Sequence, residues 1–99
     1  MASAALETFI DESVRISQEH GYNPTAFNAM RDRYGTVPAI ERLVSSGEIQ
    51  SGFKKLERLG LLNWTIEAAV LKFANEFSSS IRAAAEWRLQ QAKKEADGT

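Results

Sequence analysis

Apolar residues recur along the chain at the three- and four-residue spacing that places them on one side of an α-helix. The first such group predicts helix 1 over residues 3–20 and consists of Leu6, Phe9, Ile10, Val14 and Ile16. Ser3 is the expected cap at its start. Gly21 is the expected stop, because glycine enters the left-handed conformation without steric cost.

Helix 2 is predicted from the residues at its two ends. Asn23 is a strong N-cap type, and Pro24 fits the first helical position, where a missing N–H costs nothing. Tyr22 and Phe27 have the spacing of a hydrophobic staple, and Gly35 ends the segment. The predicted buried face of this helix consists of Phe27, Met30 and Tyr34.

Two short helices are predicted next. Thr36 is the expected cap of helix 3, and Ser45, Ser46 and Gly47 break it. Helix 4 is expected over residues 50–59 with Gly60 as the stop. Their inward positions are Val37, Ile40, Leu43 and Val44 in helix 3, and Phe53, Leu56 and Leu59 in helix 4.

The last two predicted helices begin near Thr65 and after the serine run 78–80. Helix 6 is expected to reach about Lys94. Both follow the helical spacing, with Ile66, Ala69, Val70, Phe73 and Phe77 as the apolar positions of helix 5, and Ile81, Ala84, Ala85 and Leu89 as those of helix 6.

The chain carries no alternating β-strand pattern. The sequence therefore predicts an all-α fold, a compact orthogonal bundle of about five to six short helices joined by short turns. With 99 residues, 43% of them hydrophobic and 25% charged, it fits one globular domain. That domain is predicted over residues 1–95, with a frayed tail at 96–99.

Cysteine is absent, which excludes disulfides and thiolate metal sites and fits a reducing cytoplasm. No run approaches the roughly 18 apolar residues of a membrane span, so no membrane partner is expected. The early acids Glu7, Asp11 and Glu12 argue against a signal or transit peptide. The net charge is −1, but residues 1–20 carry −3 and residues 21–60 carry +2.

No constellation of residues indicates catalysis, so an enzyme, a metal and a cofactor are not expected. His20 is the one histidine and stands where a cation complements the end of helix 1, which favours a capping or surface role over a general base. Asp11 and Glu12 are adjacent and diverge by about 100°, so they do not share a site. Ser13 and Ser17 are expected to be exposed, and no nucleophile elbow or phosphate loop is present.

Six basic residues form the first candidate surface. Lys54 and Lys55 share a face of helix 4 with Arg58, and Arg31 and Arg33 leave helix 2 close to Tyr34. Together the set could contact phosphates or an acidic partner, or it could belong to an ordinary mixed surface; its members are Arg31, Arg33, Arg42, Lys54, Lys55 and Arg58.

Trp87 is the second candidate. It lies opposite the apolar stripe of helix 6, so it is either exposed or covered by helix 1. An exposed tryptophan beside the small Ala83 would suit a protein contact. Glu86 and Arg88 would then supply a polar rim.

Blocks between Gly21 and about Phe73 resemble a known family. They are Gly21-Tyr22-x-Pro24-Thr25-x-Phe27-x-x-Met30, Tyr34-Gly35, Ala39-x-x-x-Leu43, Ser51-Gly52-Phe53-x-x-Leu56-x-x-x-Gly60-x-Leu62 and Thr65-x-Glu67-x-x-Val70-Leu71. In order and spacing they look like a small bacterial helical domain that occurs alone or appended to larger proteins, some with nuclease domains resembling restriction enzymes. The resemblance covers about half the chain and supplies context rather than an activity. Asn63-Trp64 stands where the family has an acidic-aliphatic pair.

These features predict a non-catalytic helical interaction module, accessory to a larger bacterial or phage protein system. The expected partner is a protein, and a second copy of the chain, giving a homodimer, is one form of it. The alternative is a weak nucleic-acid-binding domain that uses the basic surface on helices 2–4. A phage origin would fit an inhibitor of a defence enzyme.

Overall fold

The computed structural model describes residues 2–46 and 51–97. Within them the helices are α1 (Ala4–Glu19), α2 (Thr25–Tyr34), α3 (Thr36–Val44), α4 (Ser51–Arg58), α5 (Ile66–Lys72) and α6 (Ser79–Asp97). Single 3-10 turns at Leu62–Trp64 and Ala74–Glu76 flank α5. These parts of the chain contain no strand, so the predicted all-α bundle of five to six helices is confirmed.

Hydroxyl side chains begin three of the helices. The Ser3 hydroxyl accepts a hydrogen bond from the Leu6 amide at 3.1 Å, and the Thr65 hydroxyl accepts one from the Ala68 amide at 3.1 Å. The Ser78 hydroxyl accepts a longer one, 3.4 Å, from the Ile81 amide. Each satisfies an amide that lacks a partner inside its helix, so the predicted caps of helices 1, 5 and 6 are confirmed.

The predicted caps of helices 2 and 3 are wrong. α2 begins at Thr25, after Pro24, and has no side-chain cap; Asn23 instead accepts a hydrogen bond from Gln18. Pro24 was predicted to be the first helical residue, but it lies one position before the helix. Thr36 is the first residue of α3, and its hydroxyl bonds the side chains of Glu7 and Arg31. Long-range hydrogen bonds have displaced the local ones that the sequence suggests.

Helix 5 is shorter than predicted. α5 ends at Lys72, and the chain passes through the 3-10 turn before Phe77. Phe77 has extended backbone, with φ −128° and ψ 154°, yet its side chain is buried in the core. Its spacing of eleven residues from Ile66 thus coincides with a helical period without a continuous helix. Before α5, the chain leaves α4 through Gly60, whose φ of +75° is as expected for a glycine that ends a helix.

The hydrophobic core lies where α1, α3, α5 and α6 meet. α2 packs most extensively on α3, and α5 on α6. The main cluster of buried apolar residues consists of Leu6, Ile10, Phe27, Ala39, Ile40, Val44, Ala69, Val70, Phe77, Ile81 and Ala85. Tyr34, predicted to face the core, is 41% exposed and is therefore a correction.

Two helices bury a line of four residues at the spacing i, i+4, i+7 and i+11. On α1 the line is Leu6, Ile10, Ser13 and Ser17, and on α6 it is Ile81, Ala85, Arg88 and Ala92. The prediction that Ser13 and Ser17 are exposed is therefore wrong. The Ser17 hydroxyl donates to the Ser13 carbonyl at 2.8 Å, so a small polar side chain is buried with its hydrogen bond made.

α6 extends beyond its predicted end. The helix continues through Asp97, two residues into the segment 96–99 that was predicted to fray. Residues 98 and 99, and the predicted break at Gly47, lie outside the described residues, as does residue 50 at the start of helix 4.

Candidate interaction surfaces

Trp87 projects from the outer side of α6. Its side chain is 56% exposed, the highest value among the large hydrophobic residues of the described chain. Of the two alternatives left by the sequence, exposure and burial under α1, the structure has exposure. Ala83, one helical turn earlier, is also exposed.

Between positions 80 and 91, the residues on the Trp87 side of α6 carry no charge. Side chains at three, four and seven residues from Trp87 lie within about 60° of it on an α-helix. We call this surface the α6 stripe; its described members are Ser80, Ala83, Ala84, Trp87, Gln90 and Gln91. Glu86 stands at its margin and accepts a hydrogen bond from Gln90 at 3.2 Å. The stripe offers one large aromatic ring among small or uncharged side chains.

Arg88 does not form the polar rim expected for it. It is 3% exposed, and its Nη1 atom donates to Glu67 Oε2 at 2.8 Å. Nη2 donates to the Ser46 carbonyl at 2.9 Å and to its hydroxyl at 3.2 Å. The guanidinium thus joins α6 to α5 and to the end of α3.

The Glu67–Arg88 pair lies on the same buried side of α6 as Ile81, Ala85 and Ala92 and helps to hold that side inward. Burial raises the pKa of Glu67, and the hydrogen bond from Arg88 opposes that rise. Because an unpaired charge of either sign would be costly in this interior, the two side chains hold each other in place. Consecutive residues of a helix diverge by about 100°, so fixing Arg88 inward fixes Trp87 outward.

Arg31 is removed from the predicted basic surface by its contacts with α1. Its Nη2 atom lies 3.0 Å from Glu7 Oε1 and 2.9 Å from Asp11 Oδ1, and its Nε atom donates to Thr36 Oγ1 at 2.9 Å. Hydrogen bonds from Thr36 and then Arg31 lower the pKa of Glu7. The arginine therefore binds the acidic first helix of its own chain rather than standing free for a partner.

Arg33 and Arg42 meet at Tyr34. The Arg42 guanidinium carbon lies 4.0 Å from the centroid of the Tyr34 ring, and that of Arg33 lies 5.4 Å from it. Both arginines are exposed. A cation above an aromatic ring is attracted by the negative charge of the ring face. The arrangement places two guanidinium groups beside one half-exposed tyrosine.

The three cations of α4 lie in a separate group along that helix. Lys54 pairs with Glu57 at 3.7 Å, whereas Lys55 and Arg58 are exposed on the same element. The six predicted residues thus occupy three settings: one internal ion pair, one arginine pair on Tyr34 and one run on α4.

The remaining candidate chemistry has structural explanations. His20 Nδ1 lies 2.9 Å from the Ile16 carbonyl at the end of α1, the capping role predicted for it. Asp11 pairs with Arg31, and Glu12 pairs with Arg15. Over residues 2–46 and 51–97, no cluster of three or more histidine, cysteine or acidic side chains could hold a metal ion. None of the helices there combines the length and apolar character needed to cross a membrane.

Sequence reasoning missed the inward direction of Arg88. Its spacing of three residues from Ala85 and seven from Ile81 is the signal that places it on the buried line. No local sequence signal identifies Glu67 as the partner of Arg88, because the two residues lie 21 positions apart. Comparisons of the chain with family models, curated proteins and solved structures found no match.

Proposed function

We propose that this domain is a non-catalytic helical interaction module that binds a protein partner through the α6 stripe. In this proposal it acts in the cytoplasm as an accessory to a larger bacterial or phage protein system. The observation that carries the proposal is the exposure of Trp87, at 56%, beside uncharged residues of a helix whose opposite face buries Arg88.

Trp87 has the properties of an anchor residue. Tryptophan is enriched among interface residues that dominate binding, because it buries a large apolar area with few rotatable bonds. Covering its exposed surface would recover roughly 2 kcal/mol or more. The stripe residues from Ser80 to Gln91 carry no charge, and the sequence places Lys94 seven residues after Trp87. A partner that covers positions 80–91 would not have to desolvate an ion to reach the ring.

The small side chains beside Trp87 favour a helix as the docking element of the partner. Ser80 and Ala83 are exposed, and Ala84 is half-buried. Helices pack at interaxial distances of about 8–10 Å, the shorter values being reached with small side chains at the contact. A partner helix could therefore lie along α6, with Trp87 inserted between its side chains.

Site-specific photo-crosslinking tests this proposal. The residue p-benzoylphenylalanine is placed at position 87 and, in a matched control, at position 71, where Leu71 is 39% exposed on α5. Irradiation in bacterial cells that also express the neighbouring genes should give a discrete adduct from position 87 and none from position 71. An adduct of twice the 11.0 kDa chain mass would identify a second copy as the partner. Equal adduct patterns from both positions, or none from position 87, would contradict the proposal.

A second candidate function is weak nucleic-acid binding, and the observation favouring it is the placement of Arg33 and Arg42 on Tyr34. Guanidinium groups bind phosphates, and exposed aromatic rings stack on bases. Titration of a DNA duplex at several salt concentrations tests it. Each phosphate contact contributes a slope of about −0.9 in log K against log salt.

Two charge changes separate this candidate from a nonspecific effect. Arg42→Gln should make the salt slope shallower by about 1, and joint replacement of Lys54 and Lys55 by glutamate should abolish binding without unfolding the domain. Arg15→Gln is the matched control, because Arg15 is an exposed arginine bound to Glu12 and Glu19 on α1. The candidate is rejected if the unaltered chain does not bind DNA at low salt.

A further inference from the structure

A cavity of about 110 Å³ opens between α1, α2, α4 and α5. Its lining includes the half-buried Pro24 and the exposed Ala26, as well as the buried Ser13, Ser17 and Phe53. The cavity is distinct from the α6 stripe and shares no residue with it. A protein interaction does not require it, so its presence needs a separate explanation.

Four aromatic side chains contribute to the walls of the cavity, together with aliphatic ones such as Leu43 and Leu56. Tyr22, Phe27, Phe53 and Trp64 all line it. Trp64 is held by stacking on Phe9, with ring centroids 5.1 Å apart. Gly52 also lines the cavity, and a Cβ atom there would collide with the Tyr22 hydroxyl. Glycine at this position thus allows the tyrosine to lie across the first turn of α4.

The size of the cavity limits the ligand to a single ring. An apolar cavity of about 150 Å³ holds one benzene molecule in another protein, and pockets for drug-sized ligands start at about 300 Å³. A volume of about 110 Å³ lies below both values, so the cavity admits at most one compact ring, with some widening of its walls, and no nucleotide.

The polar groups of the cavity select an uncharged ligand with a hydroxyl. Glu67 contributes a carboxylate to the lining, but Arg88 neutralises it at 2.8 Å. A charged ligand would be desolvated there without a counter-ion. Ser13 and Tyr22 each bring a hydroxyl group to the lining, and a hydroxyl can both donate to and accept from a hydroxyl of the ligand.

We propose that this cavity is a binding site for an uncharged, single-ring compound that carries one hydroxyl group. Tyr22 and Ser13 would bond the hydroxyl, and the aromatic walls would enclose the ring. The class is recognised by its chemistry: phenols and alcohols of similar size fit it, and carboxylates of the same size do not.

Backbone amide NMR spectra of the whole chain, titrated with phenol, test this site. Phenol should give saturable shifts at cavity residues such as Phe27 and Phe53, and benzoate should give none. Tyr22→Phe should weaken phenol binding about fivefold, the effect of losing one uncharged hydrogen bond, and leave toluene binding unchanged. Tyr34→Phe, an exposed tyrosine outside the cavity, should leave both unchanged.

Three results would overturn the proposal. The first is the absence of saturable phenol binding at millimolar concentration. The second is benzoate binding as tight as that of phenol. The third is a Tyr22→Phe chain that retains its amide spectrum and binds phenol as tightly as the unaltered chain.

Discussion

Arg88 and Glu67 are buried charges that each depend on the other. Their side chains are 4% and 2% exposed, with Nη1 and Oε2 at 2.8 Å. Removing one partner of such a pair leaves an uncompensated charge in the interior. Replacing both by apolar residues removes the two desolvation penalties together. The double variant should therefore lose less stability than the sum of the losses in the two single variants.

Replacement of Arg88 by methionine should lower the free energy of unfolding by about 3–5 kcal/mol. The double variant with Glu67→Met should be less destabilised than Arg88→Met alone, although Ser46 still loses two hydrogen bonds. Urea denaturation followed by circular dichroism measures both values. A loss below about 1 kcal/mol in the single variant would show that the pair does not hold α6 in place.

Phe27 is the core residue on which α2 depends. It is 6% exposed and belongs to the main hydrophobic cluster. Phe27→Ala should cost about 3–5 kcal/mol, because it removes an aromatic ring and leaves a cavity. Thermal melts would measure the loss, and a value below about 1 kcal/mol would contradict this account of the core.

Buried polar residues are the part of the fold that the type of each residue alone does not predict. The line Leu6, Ile10, Ser13 and Ser17 has perfect helical spacing, yet two of its members are serines. A search for apolar residues alone continues the stripe through Val14 and Ile16, which are only half-buried. The period was the better guide than the hydrophobicity of each residue.

At the scale of elements, α1 is joined to α2 and α3 by one polar cluster of Glu7, Arg31 and Thr36. Arg31 from α2 and Thr36 from α3 both bond the Glu7 carboxylate, and these bonds lower its pKa. A carboxyl whose pKa is lower in the folded state than in the unfolded state stabilises the fold above its unfolded pKa. That contribution is lost as the pH falls through the folded pKa.

The variant Glu7→Gln should therefore melt below the unaltered chain at pH 7. The difference should begin to shrink as the pH falls below about 4.5, the ordinary value for the carboxyl, and should disappear below the lower pKa of the folded state. Thr36→Val removes the contact with the largest effect on that pKa and should reduce the pH dependence. Melting curves between pH 7 and pH 2.5 measure both. A difference that stays constant over this range would argue against the assigned role of Glu7.

Helix number and most helix ends could be predicted from sequence because glycines and hydroxyl caps act locally. Ser3, Thr65 and Gly60 act as expected. Thr36 does not, since its hydroxyl bonds Glu7, 29 positions away. Local signals fail where a tertiary hydrogen bond competes for the same atom.

At the scale of the whole molecule, the uneven charge of the sequence is partly internal. The acidic first helix and the basic middle of the chain meet through Arg31, Glu7 and Asp11. Only packing shows which cations remain at the surface: Arg33 and Arg42 do so beside Tyr34, and Lys55 and Arg58 do so on α4. The basic surface could be predicted as a set of residues but not as one patch.

Helical period places Trp87 opposite the apolar stripe of α6, but it left open whether Trp87 is exposed or covered by α1. The sequence does not show that Arg88 is buried, and this burial helps to keep α6 in its orientation. The α6 stripe is thus held facing outward by a pair that the sequence does not bring together. The interaction module proposed here depends on this arrangement.

Fluorescence of Trp87 tests the central claim most directly. In a Trp64→Phe chain, where phenylalanine can keep the stack on Phe9, Trp87 is the only indole. Its emission maximum should be that of a water-exposed indole in the isolated monomer, and it should shift to shorter wavelength when the partner recovered by crosslinking is added. Emission typical of a dry indole in the monomer, unchanged on addition of that partner, would place Trp87 in the core and contradict the account.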